Sequence, residues 1–308
     1  MLSGPQLDLK LALASSMVRT RRPQTTTEIE AAQETARRGK CRQPINATFC
    51  RTNQTGFFWL EVTAQESSDF NGMPQYRFPT KGISQMKIRN VSITVSDLAM
   101  AVQFYRDTLL LPVEWTPAGA DVVIGSSRLS MAAGDGFDGV HHLAFGILPS
   151  EFERAHEWLA RRVSLFQADG SEIIPGPDDW NSRSLYFLGP EGIILEFIAR
   201  AADTCTDSSK GDNPRILSIS EVGLGVEDVL DAVATLSEEL AIPNFYDCSS
   251  TFASMGGHDG LLIVVHRERV WFPTESSRPA RGFLTVQIES RARKSRVDPA
   301  PGISIISG

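Results

Sequence analysis

The sequence predicts an α+β protein assembled from tandem βαβββ modules, and three observations carry the prediction. The chain repeats itself: strand-like stretches at 90–95 (NVSITV) and 221–226 (EVGLGV) lead into Ser96-Asp97-Leu98 and Glu227-Asp228-Val229, offset by 131 residues without a gap. Repetition at a fixed period outranks any local reading. After each strand, apolar residues recur as Leu98, Ala101, Val102, Tyr105 and Leu109, and as Val229, Ala232, Val233, Leu236 and Leu240. That spacing is one stripe of an amphipathic helix. A third, more diverged copy opens with HLAFGI at 142–147.

The elements follow in order. Residues 1–85 keep no sustained period beyond a short polar helix candidate near 27–38 and an apolar patch at 57–62, so they read as a poorly structured N-terminal extension. The strong pattern starts at Met86. Pro112 and Pro243 stop the first and third helices. In the second copy, Ser150 and Glu153 have capping-box spacing, and a helix is expected from there to about residue 163. Each copy closes on a strand behind a turn, at 128–132, 192–198 and 261–266. A polar stretch at 201–213 reads as a linker. The expected organisation is a complete two-module domain at 86–200, a partial second domain at 214–290, and an unpatterned tail at 291–308. A fourth copy opens near 282–288 and breaks off, leaving an open sheet edge after Val286 that predicts a homodimer.

Composition narrows the function. Hydrophobic residues make up 42% and charged residues 22% of 308, an ordinary globular mix. No apolar run reaches the length of a membrane span. Four cysteines without CxxC spacing indicate neither a disulfide framework nor a zinc ribbon, and a reducing cytoplasmic setting is expected. Residues 86–308 carry 19 Lys and Arg against 30 Asp and Glu, a balance that disfavours nucleic acid. Phosphate-binding glycine loops, a nucleophile elbow and an HExxH helix are absent.

The chemistry is expected on the strand face opposite the helices. Alternate residues of a strand point to opposite sides. Val91, Ile93 and Val95, Leu143, Phe145 and Ile147, and Val222, Leu224 and Val226 form the packed face. The other face reads Asn90, Ser92, Thr94, then His142, Ala144, Gly146, then Glu221, Gly223, Gly225, with the most polar residue first each time. Small side chains beside a coordinating group suit a small-molecule site, and an open solvated sheet face is the competing reading.

These modules, with the V-x-D-L-x-x-A-x-x-F-Y run of Val95 to Tyr105, resemble the vicinal oxygen chelate superfamily of glyoxalases, bleomycin and fosfomycin resistance proteins and extradiol dioxygenases. The resemblance spans about residues 86–290. It implies paired modules curled into an open barrel around a divalent metal (Zn, Mn, Fe or Ni), with ligands from first and last strands. By position it places Asn90, His142 and Glu196 in ligand slots, Glu221 in the first-strand slot of the third module, and Ala132 and Val264 in the remaining last-strand slots. Asn90 is a weak, neutral ligand beside the imidazole and carboxylate. The position after each helix that is usually glycine in this superfamily is Leu110 and Ala241 here.

Ser92, Trp180, Asn181, Arg183 and Tyr186 are the expected substrate contacts, offering hydroxyls, a stacking plane, an amide and a cation. Trp180 reads equally as a plug at the barrel edge, and Arg183 as a solvated strand residue. Trp271 reads as core, in an edge strand ended by Pro273. His266 with Glu221 would make a second pocket. The resemblance implies a metal-assisted enzyme acting on a small substrate with neighbouring oxygens, Glu196 serving as ligand or as base. A metal-free protein that sequesters a small hydrophobic compound is the alternative.

Overall fold

The structure, a computed structural model, describes residues 46–51, 58–63 and 86–308 apart from 136–137, 178–179, 204–210, 247 and 291–294. The helix expected at 27–38 lies outside the described residues. Strands β1 (Asn46–Arg51) and β2 (Phe58–Thr63) pair antiparallel within a unit spanning Met1–Thr80. The second unit, Lys81–Gly308, carries the repeated modules.

The first module is β3 (Lys87–Val95), α1 (Leu98–Gln103), β4 (Val113–Thr116), β5 (Gly119–Ile124) and β6 (Ser127–Ala133). The second is β7 (His142–Ile147), α2 (Phe152–Ala160), β8 (Ile174–Pro175), β9 (Ser182–Leu188) and β10 (Ile194–Arg200). The third is β11 (Ile216–Val226), α3 (Val229–Leu240), β12 (Phe252–Gly257) and β13 (Gly260–His266). A fourth, without a helix, is β14 (Leu284–Glu289), β15 (Ser295–Ala300) and β16 (Ile303–Ser307). The stretch read as a tail thus holds a hairpin whose second strand runs parallel to β14, as a closing strand does in the other modules.

Local chemistry explains the helix ends. Asp97 accepts from the Met100 amide, and Asp228 from the amides of Leu230 and Asp231, caps worth about 1 kcal/mol each. Leu110 (φ 54°) and Ala241 (φ 52°) occupy the left-handed positions after the helices. The Ser150/Glu153 box does not form: Pro149–Glu151 makes a 3-10 turn, and α2 starts at Phe152 without a side-chain cap.

The modules pair differently from the expected order. One sheet runs β15-β16-β14-β3-β6-β5-β4 and the other β12-β13-β11-β7-β10-β9-β8. The first module therefore shares a half-barrel with the fourth, and the second with the third, so residues 86–200 do not close a barrel by themselves. Strand β14 sits between β16 and β3, and the open edge expected after Val286 does not exist.

The predicted packed faces are buried in one continuous core with the helix stripes, each fully buried Val, Leu, Ile or Phe contributing about 1.5–3 kcal/mol. Ser127 ties the sheets together: its hydroxyl donates to the Ile88 carbonyl at 2.6 Å and accepts from the Ile219 amide at 3.0 Å. Among the described residues, no helix is long and apolar enough to cross a membrane.

Candidate metal centre

The concave faces of the two half-barrels differ. In the first, Asn90, Ser92, Thr94 and Ser130 are half-buried, and Asn90 links Ser92 and Ser130. The Asn90 amide donates to Ser92 Oγ at 2.9 Å and accepts from Ser130 Oγ at 3.0 Å. In the second, the equivalent face is sealed: His142, Glu196 and Glu221 are 5%, 2% and 4% exposed.

Strand register brings those three together. His142 opens β7, and Glu196 on parallel β10 lies opposite Ala144, two residues further along the same face. Glu221 on antiparallel β11 also lies opposite Ala144. His142 Nε2 is 3.5 Å from Glu196 Oε2, and one ligand atom from each of the three residues falls within 4.8 Å of the others. Asn90, expected as the third ligand, lies in the other sheet, so the carboxylate of Glu221 stands where an amide was expected. The slots facing Ser92 and Gly223 are Ser130 and Ile263 by register, rather than Ala132 and Val264.

Burial dominates the electrostatics. It lowers the His142 pKa to about 4, so the imidazole is neutral and its lone pair is available. It pushes Glu196 up to about 8, helped by the Glu221 charge and opposed by hydrogen bonds from Ser184 and Tyr186 and by Arg200. Burial also raises Glu221, against the pull of Arg200. Arg200, the last residue of β10 and 1% exposed, pairs with the Glu221 carboxylate and donates to the Ser220 hydroxyl. Nothing in the sequence pattern singled Arg200 out, because a charged residue at a strand end ordinarily reads as solvated.

An apolar wall closes the cup. Ile194, Leu261, Ile263, Val265 and Trp271 cluster there with Val140, Trp180, Tyr186, Phe245 and Phe252 against them. The Trp271 ring lies 5.2 Å from the His142 ring and donates its indole N–H to the Val140 carbonyl at 3.2 Å. Trp271 is core, as expected, but sits in an irregular segment rather than an edge strand. Gly223 and Gly225 are small because Trp271 and Pro279 lie on them: an added Cβ would meet these side chains at 2.6 and 2.5 Å.

The expected substrate contacts separate. Tyr186 reaches the cluster, its phenol hydrogen-bonded to Glu196 and its ring 6.3 Å from that of His142. Trp180 stacks on Tyr246 at 5.5 Å and meets Phe245 edge-on at the rim. Arg183 faces away from the cup, paired with Glu153 at 2.6 Å over the Phe152 ring. Asn181 is an exposed left-handed residue (φ 43°), and Ser92 belongs to the other half-barrel. His266 lies beside Val226, five residues along β11 from Glu221, whose own partner is Leu261.

A neutral imidazole and two carboxylates are a chemically sound donor set for Zn²⁺, Mn²⁺, Fe²⁺ or Ni²⁺. Ligand atoms about 2.1 Å from a tetrahedral ion lie about 3.4 Å apart, close to the separation of His142 and Glu196. The residues fit a metal, and Arg200, paired with Glu221, opposes it.

No family model matches the sequence, and no curated protein matches it. Among solved structures, glyoxalase I from Zea mays is similar over 73% of this chain and 92% of its own, at 14% identity and a TM-score of 0.47. A putative dioxygenase from Bacillus subtilis is similar over 73% of this chain and 86% of its own, at 12% identity and a TM-score of 0.46. A glyoxalase/bleomycin resistance protein/dioxygenase from Nocardioides is similar over 42% and 92%, at 21% identity and a TM-score of 0.31. The functional reading rests on the site itself.

Proposed function

We propose that this chain is a metal-assisted enzyme of the vicinal oxygen chelate type, acting on a small substrate with two neighbouring oxygens. The observation that carries the reading is the convergence of His142, Glu196 and Glu221 in one sealed cup. When bound, the metal supplies Lewis-acid polarisation of the two oxygens. His142 holds its lone pair free of protons at neutral pH, and Glu221 contributes a carboxylate. Glu196, which burial pushes up to about 8 before a metal enters, is the carboxyl placed to take and return a proton, and Tyr186 and Ser184 orient it. Trp271 keeps bulk water out, and its segment has to yield for a substrate to enter.

The test uses acetohydroxamate as a probe with two neighbouring oxygens. Calorimetry on the Zn²⁺-loaded full chain is expected to show binding that the metal-free chain lacks. Equal binding with and without metal would overturn the reading.

The second reading, metal-free sequestration of an aromatic compound, is favoured by the Arg200–Glu221 pair, which balances charge without a metal, and by the aromatic rim of Trp180, Phe245 and Tyr246. Homodimerisation stays in the proposal on a different edge, β4, where Trp115 is 63% exposed.

A further inference from the structure

We propose that Arg200 is the resident cation of the cluster: it competes with a divalent metal for Glu221 and thereby sets the metal affinity of this half-barrel. The inference rests on the metal reading above.

Arg200 follows Glu196 by four residues on β10, so both project from the same strand face. A guanidinium keeps its charge at any physiological pH. Buried to 1% exposure, it needs a counter-charge, and Glu221 is the carboxylate it contacts. The rest of its hydrogen bonding is incomplete: one terminal nitrogen donates to Ser220, and Nε has no partner. A divalent ion held by His142, Glu196 and Glu221 draws on the carboxylate that Arg200 already occupies. It also places two further positive charges beside a guanidinium in a site closed to water, where screening is weak.

The opposite role is equally concrete. An arginine that merely orients a metal-ligating carboxylate strengthens the site, and its loss typically costs about 10–100-fold in affinity. The two roles therefore predict changes of opposite sign.

The experiment titrates chelator-treated full-length chain with Zn²⁺ and Mn²⁺ by calorimetry, comparing wild type with Arg200→Met, Arg200→Gln and Arg200→Lys. Competition predicts binding tighter by about tenfold or more in the Met and Gln variants and near wild type in the Lys variant. Arg200→Gln keeps a neutral donor for Glu221 and Ser220, so it decides the matter if the Met variant loses its cooperative melt. Measurable wild-type binding that is unchanged or weaker in the neutral variants overturns the inference and leaves the metal reading intact. Absence of binding in every form overturns both.

Discussion

The Trp271 indole lies against the backbone of Gly223, so close that a β-carbon there would come within 2.6 Å of the ring. The strand face that reads as an empty cup in the sequence is therefore filled from within the chain. Trp271→Ala is expected to cost about 3–5 kcal/mol in urea unfolding and to leave a cavity beside His142. Added indole should raise the melting temperature of that variant and not of wild type. No effect of indole would mean that the segment collapses into the space.

Arg200 and Glu221 form a buried pair that each needs the other to balance. Glu221→Ala is expected to lose about 3–5 kcal/mol, because it strands a buried guanidinium. Arg200→Met together with Glu221→Leu should recover most of that loss. A double variant as unstable as the sum of the single changes would show that the pair does more than balance charge.

The pH dependence of stability follows from burial. Glu196, raised to about 8, keeps in the folded state a proton that the unfolded chain releases above about 4.5, so stability falls as pH rises from 6.5 to 8. His141 and His142, lowered to about 4, bind protons only when unfolded between about 4 and 6.5, so stability also falls as the medium becomes acidic. The optimum is expected on the acid side of neutrality, and Glu196→Gln should reduce the decline between 6.5 and 8. An undiminished decline in that variant would assign it to other groups.

The chain truncated to residues 86–308 is expected to melt cooperatively, since Met86 opens the continuous core and is itself fully buried. A broad, non-cooperative transition would show that residues 1–85 stabilise the modules.

Three modules were legible in the sequence because each joins a period-two strand to a helical stripe; burial alternates with that period in β3, whereas β7 is buried on both faces. The fourth was not. It has no helix, its strand β15 contains Pro299, and its hairpin offers no stripe to read. Without it, the first module had no visible partner but the second, and Asn90 was placed with His142 and Glu196. Near-identical strand patterns do not encode which edges meet, since that choice depends on distant segments. Glu221 was visible in its slot, yet its partners emerge only once β7 and β11 are adjacent. Trp271 and Arg200 carry no periodic signal, and their roles follow from what they cover.

We propose that His142, Glu196 and Glu221 jointly hold a divalent ion. It is tested most directly by equilibrium dialysis of the full chain against Zn²⁺ and Mn²⁺, read as metal bound per chain at saturation. About one ion is expected for wild type and for Asn90→His, whose altered residue lies in the other half-barrel, and none for the triple variant His142→Ala, Glu196→Gln, Glu221→Gln. Undiminished metal in the triple variant, or none in wild type, would contradict it.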